Sequence, residues 1–73
     1  MDKIFKYSKA RRKEGYQNFY CVAGEFGKLK TALCANGLTG DVTVNKDQQF
    51  VALPTYVARD VAKNLIKDGW SLA

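Results

Sequence analysis

Between Pro54 and Trp70, the apolar residues Val57, Ala58, Val61, Ala62 and Leu65 recur at three- and four-residue spacing, which lines them along one side of an α-helix. Arg59, Lys63, Asn64 and Lys67 fall on the opposite side. Pro54 stops the preceding segment, and the Thr55 side chain is placed to accept a bond from the free N–H groups of the first turn. Gly69 suits the left-handed conformation that closes a last turn, so Trp70 is expected to fold back over the apolar stripe as a lid on the core.

Upstream the period shortens to two. Ile4 to about Ala10 predicts a strand with Phe5 and Tyr7 on one face and Lys6 and Ser8 on the other. Arg11-Arg12-Lys13-Glu14-Gly15 is a polar loop in which Gly15 can take a positive φ. Tyr16 to Val22 returns, with Phe19 and Cys21 on one face and Tyr16, Asn18, Tyr20 and Val22 on the other. After Gly24 the spacing of Phe26, Leu29, Ala32 and Leu33 changes to helical, predicting a helix from Glu25 to about Asn36 stopped by Gly37. Gly27 in its first turn costs about 1 kcal/mol relative to alanine. A second hairpin opens at Gly40-Asp41: Val42 and Val44 alternate with Thr43, Asn45 to Gln48 turn, and Gln49 to Leu53 return. Trp70 to Ala73 forms a short extended tail.

Strand, strand, helix therefore occurs twice. A shift of thirty-two residues puts Gly37 on Gly69, Leu29 on Val61, Leu33 on Leu65, Cys34 on Ile66, Leu38 on Trp70, Phe19 on Val51 and Cys21 on Leu53. The identities are few, and the similarity is one of pattern. It predicts an α+β fold in which two ββα units form a four-stranded antiparallel sheet with two helices on one face. Phe26, Leu29, Leu33, Phe50, Val57, Val61 and Leu65 are the expected core, leaving the other sheet face open to solvent or a partner.

Seventy-three residues make a single small domain, 1–73. A chain of this size buries only roughly 60% of the surface that its unfolded form exposes, so a homodimer would be one way to bury more. No apolar run approaches the roughly 20 residues needed to span a bilayer, so no membrane role is expected. Met1 to Lys6 carries charge with no apolar stretch behind it, which favours a cytoplasmic protein. Cys21 and Cys34 fit two small buried hydrophobes in a reducing compartment, because small secreted domains usually carry more cysteines in a bridging pattern.

Charge changes the picture more. The chain carries a net charge of +5, and residues 1–36 hold all of the excess, with eight Lys/Arg against three Asp/Glu. Six of those cations, Lys3, Lys6, Lys9, Arg11, Arg12 and Lys13, fall within the first thirteen positions.

Catalytic chemistry finds little support. The chain has no histidine, which removes the usual general base near neutral pH and the Ser–His and Cys–His nucleophile pairs. Two cysteines without histidine do not make a zinc site, and Gly24-Glu25-Phe26-Gly27 matches neither phosphate-binding glycine signature. No enzyme activity, cofactor or metal is expected. The first hairpin instead reads as a ribbon able to contact a nucleic-acid backbone, through Lys6, Lys9, Arg11, Arg12 and Lys13. Tyr7, Tyr16 and Tyr20 lie on or beside it and could stack on unpaired bases. The alternative is a protein-binding inhibitor or adaptor, in the style of the small accessory proteins of phages and mobile elements, addressing an acidic surface on a host protein. An open aromatic face and an exposed strand edge would serve that role.

Overall fold

The computed structural model describes residues 2–36 and 43–73. Strand β1 (Ile4–Lys9) and strand β2 (Tyr16–Ala23) form the first hairpin, followed by helix α1 (Phe26–Cys34). Strands β3 (Thr43–Asn45) and β4 (Phe50–Pro54) form the second, followed by helix α2 (Thr55–Lys67) and strand β5 (Ser71–Leu72). Gly37, Leu38 and the opening of the second hairpin at Gly40 to Val42 lie outside the described residues.

The fold is α+β with two helices, but its sheet has five strands in the order β3-β4-β2-β1-β5 and is mixed. The antiparallel sheet expected from the repeat accounts for the first four. The correction is the tail: α2 carries the chain across the sheet, and Ser71 and Leu72 pair in parallel with Ile4 and Phe5 of β1. Backbone bonds of 2.8 Å from Ser71 N–H to Lys3 O and from Ala73 N–H to Phe5 O hold it there. The periodicity of two extended residues is too short to announce a strand, and an available edge beside β1 supplied one.

The two hairpins meet where β2 pairs antiparallel with β4, Phe19 opposite Val51. Phe19 also faces Tyr7 of β1 at a ring separation of 5.0 Å and stacks on Phe5 at 6.0 Å. Phe5, Phe19, Val51 and Leu53 from the sheet join Leu29 and Leu33 of α1 and Ala58, Val61, Ala62 and Leu65 of α2 in one buried cluster. Both helices thus cover the same face. Asn64 Nδ2 donates to Asn36 Oδ1 at 2.8 Å, joining α2 to the end of α1.

The end of α2 forms as the glycine predicts. Gly69 takes φ +98°, Trp70 N–H bonds Leu65 O at 3.0 Å, and Gly69 N–H bonds Ile66 O at 3.2 Å. Trp70 is thereby turned into the core, edge-on to Phe5. Its start differs from expectation. The helix begins at Thr55 with no side-chain cap, and Thr55 N–H instead bonds Gly15 O at 2.8 Å, tying α2 to the first hairpin loop.

Three further positions depart from the sequence pattern. Neither cysteine is fully buried: Cys34 is exposed, and Cys21 is partly buried against the core, where desolvation raises its thiol pKa above the usual value. Phe50 is half-buried and points away from the helices, because Val51 and Leu53 share Phe19's side of the ladder. Pairing of Ile4 with Ala23 and of Phe5 with Cys21 leaves Val22 as a bulge, half exposed. Among the described residues, no helix is long and apolar enough to cross a membrane.

Phe19→Ala is expected to cost about 3–5 kcal/mol, a large share of the roughly 5–15 kcal/mol that holds a domain folded. The urea midpoint, followed by Trp70 fluorescence, should fall steeply, whereas Val22→Ala should stay within about 0.5 kcal/mol of the parent. A thiol reagent should label Cys34 well before Cys21 at neutral pH, and a Cys34→Ser variant should leave only the slow phase.

Candidate functional site

Strand alternation decides what the helix-free face carries. Residues beside Phe5, Phe19 and Val51 point the other way, so Lys6 and Ser8 of β1, Asn18 and Tyr20 of β2, Phe50 and Ala52 of β4, and Thr43 and Asn45 of β3 share one surface. This surface is concave. It encloses an open trough of about 700 Å³ that the loop between β1 and β2 borders at one end. Ala10 N–H bonds Tyr16 O at 3.0 Å to close the ladder, and the loop then leans across the sheet until Lys13 Nζ lies 3.5 Å from Thr43 Oγ1 of β3. Ala52, on the helix-free side yet buried, lies beneath that end.

Five of the six N-terminal cations line the trough: Lys6, Lys9, Arg11, Arg12 and Lys13. None of the described residues lining it is acidic. Two of the lysines are held against aromatic rings, Lys6 Nζ 5.3 Å from the Tyr20 centroid and Lys13 Nζ 4.0 Å from that of Tyr16. Such contacts contribute about 0.5–1 kcal/mol each at exposed sites, enough to bias where the ammonium groups sit without neutralising them. Tyr20 and Phe50 meet in the floor with ring centroids 5.3 Å apart and planes tilted by 54°. Asn18 Nδ2 donates to Tyr20 Oη at 3.3 Å, steadying the phenol from below.

The residues named from sequence divide unequally. Lys6 and Tyr20 lie on the trough face, and Tyr16 stands beside Lys13. Arg11 to Lys13 crowd the loop end, which Lys9 also borders although its place opposite Gln17 gives it the parity of Phe5 and Tyr7. Tyr7 is turned the other way: it faces the helices and stacks on Phe19, packed against the core. Its alternation with Lys6 already carried that signal. Phe50 and Asn18 were missed as site residues. Asn18 could have been found from its period with Tyr20, but Phe50 sits in the unbroken apolar run Phe50-Val51-Ala52-Leu53, whose inward side periodicity alone does not reveal.

Lys3 does not join the others. With Lys28 it borders a second depression, between α1 and Trp70, where Glu25 and Asp68 are also present. That surface is mixed in sign, whereas the trough is cationic with an aromatic floor and a rim of amide and hydroxyl groups. Chemically, the trough can attract several anionic groups at once and offer ring faces to a flat partner.

Because Arg11, Arg12 and Lys13 are exposed and at the loop tip, replacing all three with alanine should cost no more than about 0.5 kcal/mol at each arginine and about 1 kcal/mol at Lys13, which loses its contact with the Tyr16 ring. An unchanged circular dichroism spectrum and a urea midpoint near that of the parent would check this.

Compared with known protein families, curated proteins and solved structures, the chain has no significant match.

Proposed function

We propose that this protein binds nucleic acid without catalysing a reaction, and that the trough on the helix-free sheet face is where the phosphate backbone lies. One observation carries the reading: five cations contributed by a strand and its loop line a single concavity that contains no described acidic side chain. A solvated surface usually intersperses its signs, as the Lys3–Lys28 side does with Glu25 and Asp68. Clustered like charges repel one another in the free protein. A polyanion relieves that repulsion and releases its own condensed counterions, which favours binding at low salt.

An acidic protein surface could use the same cations. Its other expected support, an exposed strand edge for backbone pairing, is short: the described residues of the edge strands β3 and β5 pair over three and two positions.

Affinity for a generic oligonucleotide should fall steeply with salt, with a log–log slope of about −0.9 per phosphate neutralised on a duplex or −0.7 on a single strand. The Arg11, Arg12 and Lys13 triple alanine variant should flatten the slope by roughly 2–3. Absence of binding at about 50 mM salt would overturn the reading. Retention of a stoichiometric protein partner from nuclease-treated lysate, together with that absence, would point to the protein-directed alternative.

A further inference from the structure

The trough contains more than charge, and the additional part discriminates between forms of nucleic acid. Tyr20 on β2 and Phe50 on β4 are neighbours across the central ladder, both half-buried and both on the helix-free face. Their planes are tilted by 54°, so the two rings do not stack flat on one another. The core gains little from either ring, since the buried cluster lies on the other side of the sheet. Two aromatic rings in the floor of a cationic concavity are of little use to a duplex. Duplex bases are already stacked on each other and present only their edges, so a duplex would meet the loop-end cations with its backbone and leave the floor untouched. An unpaired base has a free π-face, and stacking on an aromatic side chain is sequence-tolerant.

We infer that the ligand is single-stranded: its phosphates are held by Lys6, Lys9 and the Arg11–Lys13 loop while unpaired bases stack in the floor on Tyr20 and Phe50. This rests on the nucleic-acid reading above and names the form of nucleic acid that the same trough takes. The trough volume, about 700 Å³, lies within the roughly 300–1,000 Å³ of sites that enclose organic ligands. Cations at the loop end and rings in the floor give a single strand a place for its backbone and a separate place for its bases. Lys6 Nζ lies over the Tyr20 ring, 5.3 Å from its centroid, so a base stacking on that face displaces the ammonium, which can then pair with the adjoining phosphate.

Fluorescence anisotropy with end-labelled oligomers of about 12 nucleotides, within the size range such sites cover, tests the inference. The same mixed sequence is presented at about 50 mM salt as single-stranded DNA, single-stranded RNA and each matching duplex. At least one single strand should bind about 10-fold or more tightly than its duplex, and whichever strand does so assigns the sugar. Tyr20→Ala and Phe50→Ala should each weaken single-strand binding about 5- to 150-fold, the effect of losing one base stack, while changing duplex binding less than twofold. Phe50→Leu, which keeps apolar bulk and removes the ring, should weaken it similarly, and circular dichroism establishes that each variant is folded. Equal or tighter duplex binding, or folded ring variants that bind single strands like the parent, would overturn this inference and leave the nucleic-acid reading standing. Failure of all four oligomers to bind would overturn both.

Discussion

The pairing of Phe19 with Val51 is the constraint on which the rest of this structure depends. It is where the two hairpins become one sheet, and Phe19 there touches Phe5 and Tyr7 on one side and Val51 on the other. A slip of one residue in this ladder would exchange every inward and outward side chain of β2. Asn18 and Tyr20 would turn to the helices and Phe19 to water. The hydrophobic cost of that exchange holds the register, and the register in turn delivers Tyr20 to the helix-free face.

Core and trough are therefore two readings of one alternation. The helices α1 and α2 cover one side of the sheet, and none of the described residues forms a layer on the other. The uncovered side is curved, and the basic loop leans over one end of it. That loop is anchored at both its edges, by Ala10 N–H on Tyr16 O and by Thr55 N–H on Gly15 O. The second bond links the start of α2, on the helix side, to the hairpin that carries the cations. Packing of the core thus positions the charged loop without any of its charged side chains taking part in that packing.

The same economy explains where the aromatics sit. Phe5, Phe19 and Trp70 form the aromatic part of the interior, with Tyr7 at its margin. Tyr20 and Phe50 are left outside, with Lys6 against one of them. A small domain that places rings on an open face forgoes the burial they would contribute inside. In the proposed reading, a flat ligand supplies that burial.

Local periodicity and turn chemistry by themselves determined the α+β class, both hairpins, both helices, the Gly69 closure with Trp70 folded inward, and the division of β1 and β2 into two faces. Each of these depends on residues within a few positions of one another, and the spacing of their side chains is a property of the backbone itself. Only the tertiary structure decided that Ser71 and Leu72 add a fifth, parallel strand, that Cys34 and Phe50 lie outside the core, and that Thr55 bonds a distant loop instead of capping its own helix. It also decided that the hairpin on which the sequence already groups Lys6, Lys9, Arg11, Arg12 and Lys13 shares a concavity with β3 and β4, while Lys3 goes elsewhere. Those outcomes depend on which strand lies beside which and how a loop crosses the sheet. They are contacts between residues far apart in sequence, for which no periodic signal exists along the chain.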